Sequence, residues 1–347
     1  MKKSLLSRVE ALPIMLVYAV ILIAFMFTAP ETFLGFRIYQ SFMSTVPPPM
    51  LLALGFTLIV ATGEIDLSFP AVIAFSGFVF AALFKTTGQT LMPLIVALAS
   101  GALIGFVNGV LIAVIGIPSI IATLGAQFLW HGLTVILSGG LAWNIRDIRE
   151  EFIHSLFTGR IGGYIPAQMI WVLGIAVILW FILNRHRFGE HVLFIGDNAH
   201  VAQVMGVNVR RTKIALFTLM GFLGAIAAVL LTLEMSTFWT TQGQGFLLIS
   251  IAAVFIGGTS IFGGEATVVG TVFGALIVGS IEAGVVASGL GGFWTRFIVG
   301  LVLIVTVTLH IVIGKGKGLS PSKAKRERMA EADAAARTPT QGSGGPS

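Results

Sequence analysis

The sequence predicts an all-α polytopic membrane protein with about ten transmembrane helices. Its 347 residues are 56% hydrophobic and only 10% charged, with a mean hydropathy of +0.97, whereas soluble domains are roughly 25% charged. The apolar residues are gathered into runs near the 20 or so that a bilayer requires. Between the runs lie Gly, Pro and polar residues, and the basic residues collect at alternate breaks. There is no cysteine, which excludes a disulfide framework and a thiolate metal site.

The spans are expected in the order 13–29, 47–62, 69–84, 92–115, 118–137, 166–183, 213–233, 246–262, 267–288 and 293–313. The opening "MKKSLLSRVEALP" has the charged start of a signal peptide. It reads instead as the lead of a retained first span, because no small-x-small cleavage site stands clearly between Met26 and "APETF". Ten spans with the N-terminus inside put both termini and the loop 184–212 in the cytoplasm. Lys2, Lys3 and Arg8, the five basic residues between Arg185 and Lys213, and the seven from Lys315 to Arg337 then fall inside, and only six fall outside, as the positive-inside rule requires. This organisation has a cytoplasmic N-terminus at 1–12, a membrane domain at 13–313 and a solvated tail at 314–347, ending in "QGSGGPS". The net charge of +6 follows membrane sidedness and gives no basic patch for nucleic acid.

"GALIGFVNGVLIAVIG" at Gly101 and "GALIVGSIEAGVVASG" at Gly274 begin alike. They lie in the fourth and ninth spans, which cross in opposite directions, so the pair is expected to mark an inverted repeat.

Enzymatic chemistry has no footing in this chain. "GKGKGLS" at Gly314 lacks the spacing of a phosphate loop, and the six histidines are scattered without metal-ligand spacing.

Two stretches carry the polar information. In "VATGEIDLSFPA", Val60 to Ala71, Gly63 and Pro70 bracket Glu64, Asp66 and Ser68. Acids at membrane depth face protein or water. One reading is a broken helix lining a path; the other is a short turn in which Asp66 or Ser68 caps the next helix with Pro70 in its first turn. In the loop, Asn198 is expected to cap a short helix from Ala199 to Met205, ended by Gly206 in the left-handed conformation. Ala199, Ala202 and Met205 would share one face, forming an apolar knob for a partner's groove or a turn lying on the membrane surface.

Elsewhere Asn108, Ser119, Thr123, Gln127 and Glu282 are polar groups in apolar spans, either along a path or bonding between helices; taken singly, bonding is the commoner use. Trp143 and Trp239 read as interface anchors, while Glu234 and Trp294 leave both readings open.

Together "TLIVATGEIDLS", "RFGEHVLFIGDNAHVAQVMGVNVRRTKI" and "IAAVFIGGTSIFGGEATVVGTVFGALIVG" resemble the permease subunits of bacterial ABC importers for ribose, xylose, galactose and similar sugars, over about Leu51 to Ile313. The family pattern is similar to G-G-I-D-L-S-V-G, G-G-N and G-G-T-S-x-x-G-G. Gly63, Ile65, Asp66, Leu67 and Ser68 match the first, Gly196 and Asn198 the second, and Gly257, Gly258, Thr259, Ser260, Gly263 and Gly264 the third. Glu64 and Asp197 stand where the family has Gly, and Phe69–Pro70 replaces a small pair.

The resemblance implies a type II importer: two permeases, identical or paralogous, around one path in the bacterial inner membrane. A cytoplasmic subunit would bind ATP and magnesium, so the permease needs no cofactor of its own, and a periplasmic binding protein would deliver the solute. By the same resemblance Asn198, Ala199, Ala202, Met205 and Gly206 form the coupling helix that presses into the ATPase. Ala199→Asp or Ala202→Asp is then expected to abolish uptake with insertion intact. Asp66→Ala is expected to impair assembly or transport, and Glu64→Gly to leave a working permease. Nucleosides or amino acids are the runner-up cargo. An ion-coupled carrier using Asp66 or Glu282 as relay is the competing class, and the basic loop at 184–212, which such a carrier does not need, counts against it.

Overall fold

The computed structural model describes residues 12–289, 291 and 293–316. All but Leu12 of the expected segment 1–12, and all but the first three residues of the tail 314–347, lie outside the described residues. The chain divides into two units, Met1–Leu303 and Ile304–Ser347.

The helices of the first unit are α1 (Leu12–Thr28), α2 (Pro30–Phe33), α3 (Phe36–Thr45), α4 (Pro47–Ala61), α5 (Phe69–Thr87), α6 (Leu91–Val110), α7 (Ser119–Ser138), α8 (Phe152–Thr158), α9 (Ala167–Arg185), α10 (Arg187–Val204), α11 (Val209–Met235), α12 (Phe246–Ile256), α13 (Val268–Ala287) and α14 (Phe293–Gly316), the last of which runs on into the second unit. α5, α7, α9, α11, α13 and α6 with its π-helical extension to Ile115 are each long and apolar enough to cross a membrane, and α3 with α4 forms a seventh candidate bent by 49°. α1 and α12 are apolar but shorter.

α4 is the axis of the packing. Every one of its residues is buried, as expected of a helix apolar on all sides, and Pro47 to Pro49 open it where missing amides cost nothing. α9, α11, α12 and α13 pack against it. α6 lies on α11 through Gly101, Gly105 and Gly109, whose missing side chains let the α11 backbone approach at Gly221, Phe217 and Ile214. α12 crosses α13 at Gly257 and Gly270 in the same way.

The two ends of the bundle differ. At the cap end, β1 (Trp143–Asn144) pairs antiparallel with β4 (Thr237–Phe238), and β2 (Arg160–Ile161) with β3 (Ile165–Pro166). α8 and the β1–β4 pair contribute to a separate apolar cluster that includes Phe78, Phe80, Ile148, Ile153 and Phe238. Trp143 sits in this cap, edge-on to Phe78, with Lys85 Nζ 5.5 Å above its ring, so it is a structural packing group. The opposite, junction end gathers the breaks at 62–68, 187–207 and 257–267.

Two span boundaries differ from expectation. The eighth helix stops at Ile256, not 262, because Gly257 and Gly258 (φ +92°) end it. The second is preceded by α3, whose amphipathic sequence made no continuous apolar run.

Candidate functional site

The junction is assembled from the three motifs that the sequence placed far apart. α4 ends at Ala61, and Gly63 at φ +77° turns the chain. α10 is two helices, 187–197 and 199–204, broken at Asn198, whose backbone is extended (φ −162°, ψ 104°). Asn198 Oδ1 accepts hydrogen bonds from the amides of His200 (3.0 Å) and Val201 (3.1 Å), which satisfies orphan donors at the helix start. Gly206 (φ +89°) and the Val207 amide bonding back to Ala202 O at 3.0 Å close the other end. Asn208 then caps α11 by accepting from the Arg211 amide at 3.0 Å.

These segments meet with almost no room. The Gly264 amide donates to Ala61 O at 3.0 Å. A methyl group on Gly196 would overlap both Ala61 O and the Gly264 amide, and one on Gly264 would overlap Asp197 Oδ1. A methyl on Gly263 would lie 3.0 Å from the Gly63 amide and 3.1 Å from Gly196 Cα. The end of α4, the end of 187–197 and the loop after α12 therefore cross backbone to backbone, which only glycine permits.

Beside the junction, the seven residues between α4 and α5 are held by polar groups of three other helices. Asp66, 2% exposed, accepts from Ser68 N at 2.7 Å and Ser68 Oγ at 2.6 Å. This is an Asx turn leading into α5, so Asp66 acts one step before a true helix cap. Asn108 Nδ2 on α6 donates to Ser68 Oγ at 2.8 Å. On α7, Ser119 Oγ accepts from Ile65 N (3.2 Å), Thr123 Oγ1 from Leu67 N (3.0 Å) and Gln127 Oε1 from Ala71 N (2.9 Å). Their four-residue spacing puts all three on one helix face, two of them on amides of the break and Gln127 on the Ala71 amide in the first turn of α5, which it shares with Ser68 O. Glu64 pairs with Lys213, the fifth residue of α11, so the acid that departs from the family pattern has its counter-charge one turn beyond the Asn208 cap.

The facing of the helix 199–204 needs correction. Ala202 is 1% exposed and packs with Ile195 and Val207, because the helix 199–204 rests on the protein by that face. The apolar side chains it presents outward are Val201, Val204 and Met205, the last 66% exposed; Ala199 is half-buried at the edge of the inner cluster. Asn108 and Gln127 bond between helices, Asn108 to Ser68 beside the break and the half-buried Gln127 to the Ala71 amide of α5. Glu282 is exposed and lies about four turns, or about 21 Å, along α13 from its junction end, away from the other acids. Lys213 was not assigned to the junction from sequence, and Ser119 and Thr123, which join Gln127 in one stripe on α7, were named as polar groups of a span and not as partners of the break. The four-residue spacing of polar groups on α7 was its legible trace.

Residues 38–307 match the profile of the family described as branched-chain amino acid transport system / permease component. The ribose import permease protein RbsC of Escherichia coli K12 is 31% identical over 292 residues, covering 84% of this chain and 90% of the relative. RbsC of Bacillus subtilis is 34% identical, covering 74% and 79%, and the fructose import permease protein FrcC of Rhizobium meliloti is 32% identical, covering 78% of each. No solved structure is a significant match. The matched span begins within α3, ends within α14 and contains the whole three-way glycine junction, and on that extent of agreement this chain belongs to the family of ABC import permease components.

Proposed function

We propose that the chain is the membrane subunit of an ATP-driven importer carrying a monosaccharide or polyol from periplasm to cytoplasm. The observation that carries this reading is the junction. The short helix 199–204 presents Val201, Val204 and Met205 outward while its neighbour Gly196 is locked to α4 and to the loop after α12. A push on the outer face is thereby delivered both to α4 and to the loop that joins α12 to α13. In this reading the junction end is cytoplasmic, both termini lie on that side, and all ten apolar helices span, α12 as a half-length one.

Two copies, or this chain and a paralogue, enclose the path in the inner membrane, with an inverted repeat relating the halves of each subunit. A separate subunit binds ATP and magnesium, and a periplasmic binding protein supplies the solute; the permease itself is non-catalytic. Asp66, Ser68, Asn108 and Gln127 maintain the break, and Gly257, Gly258, Gly263 and Gly264 keep the contact to it.

The ribose and fructose permeases favour a sugar, whereas the family description favours an amino acid. Thermal-shift screening of the partner binding protein against sugars, polyols, nucleosides and amino acids decides between them. Stabilisation by a monosaccharide or polyol is expected, and stabilisation by amino acids alone would refute the sugar assignment.

A further inference from the structure

The chain between β4 and α12 does not stay at the cap end. After Phe238 it descends among the helices, and three contacts measure how far. Gln242 is buried, and its Nε2 donates to Ala228 O and Thr232 Oγ1, both at 3.0 Å. Ala228 lies about two turns before the end of α11, about 11 Å in. Gly243 (φ +89°) abuts Ile73, where a methyl would come within 2.9 Å of Ile73 Cβ. Ile73 lies about four turns before the end of α5, about 21 Å in. Gln244 Nε2 lies 3.1 Å from His131 Nε2, about two turns below the end of α7, or about 11 Å. In a hydrocarbon layer of about 30 Å, these depths are near the middle. The shortness of α12, 11 residues, follows: the loop has taken up the outer half of its span.

The loop is polar, "WTTQGQG", and non-helical, and its two sides differ. Gln242 and Gly243 are buried anchors, while Thr241, Gln244 and Gly245 are exposed. Irregular backbone and amide side chains at membrane depth are tolerated only in protein or against water, because hydrocarbon leaves their donors and acceptors unpaired. We propose that the segment 239–245, with His131 of α7, forms the mid-membrane wall of the solute path and offers hydroxyl, amide and imidazole groups to a polyhydroxy solute. Thr241 and Gln244 supply donors and acceptors with no fixed charge, which suits hydroxyls and gives no counter-ion to an ionised group. The segment's contact with water stands on geometry alone; the solute class rests on the importer reading above.

The chain has no cysteine, so single cysteines report cleanly. Thr241→Cys, Gln244→Cys and the control Val177→Cys, at a position 65% exposed on α9, are expressed as full chains with the partner ATPase and binding protein in right-side-out vesicles. They are treated with the membrane-impermeant trimethylammonium-ethyl methanethiosulfonate. A thiolate forms in water and not in hydrocarbon, so labelling at 241 and 244 is expected to be at least about tenfold faster than at 177. Uptake of labelled ribose, fructose, xylose and galactose is measured before and after treatment, and a loss of more than about tenfold is expected at 241 and 244 only. Labelling no faster than at 177, or fast labelling with unchanged uptake, would overturn the proposal. Fast labelling in vesicles whose untreated wild-type protein carries none of these sugars would sustain the wet segment and refute the sugar importer.

Discussion

Gly196→Ala tests the junction most directly. The added methyl would overlap the Ala61 carbonyl oxygen and the Gly264 amide, both backbone atoms that no rotamer change can move. Relieving the overlap separates the chains and breaks the 3.0 Å bond between them. Forced repacking costs about 1–3 kcal/mol and the lost hydrogen bond about 1 kcal/mol, while alanine recovers at most about 1 kcal/mol of helix propensity. A net of about 1–3 kcal/mol corresponds to a shift of about five- to a hundredfold away from the docked arrangement, at 1.4 kcal/mol per decade. The assay is ATP-dependent uptake in vesicles, normalised to inserted protein, together with the number of ATP hydrolysed per solute carried. Gly174→Ala is the control: that glycine is also helical, but its methyl would meet nothing within 4 Å. Gly196→Ala is expected to insert and to lose nearly all coupled uptake, with Gly174→Ala near wild type. Wild-type uptake and stoichiometry in Gly196→Ala at full expression would show that the three segments need not be in contact for transport.

Three further outcomes are expected. Asp66→Ala leaves the buried Ser68 amide and hydroxyl without their acceptor, a loss of about 1–3 kcal/mol per unpaired group; thermal unfolding in detergent should show destabilisation, and Asp66→Asn should recover part of it. Val204→Asp or Met205→Asp, both at outward positions, should abolish uptake with normal insertion, whereas Ala202→Asp buries a charge against Ile195 and Val207 and should lower the yield of folded protein; equal yields for all three variants would contradict the assigned faces. His154 on α8 has its pKa held below the usual 6.5 or so, first by burial and then by Arg149 nearby. The unfolded chain therefore binds more protons between the lowered value and about 6.5, so stability of the cap end should fall as pH drops through that window, and hydrogen exchange of α8 should show the fall in wild type and not in His154→Gln.

Much of this architecture was legible because membrane helices and caps are local matters. The run from Leu91 to Ile115, the Asn198 cap and the Gly206 stop follow from residues within a few positions of one another, and the structure has each of them. The cap end was not legible: its strands are two residues long and pair Trp143 with Phe238 across nearly a hundred positions, leaving no periodic trace. The facing of the helix 199–204 was also missed. Ala199, Ala202 and Met205 share a helical side by spacing, but spacing cannot say which side meets the protein, and Ala202 is small enough to serve as either contact.

The sequence by itself determined that the chain is a bundle of membrane helices, where its glycines and acids interrupt them, and which family it belongs to, since hydropathy, capping and motif are written along the chain. Tertiary structure alone decided that Gly63, Gly196 and Gly264 occupy one crossing point, that Ser119 and Thr123 serve the amides freed beside Asp66, and that Glu64 answers Lys213. Each of these is a relation between segments distant in sequence, selected by which backbones can approach closely and which buried donors remain to be satisfied.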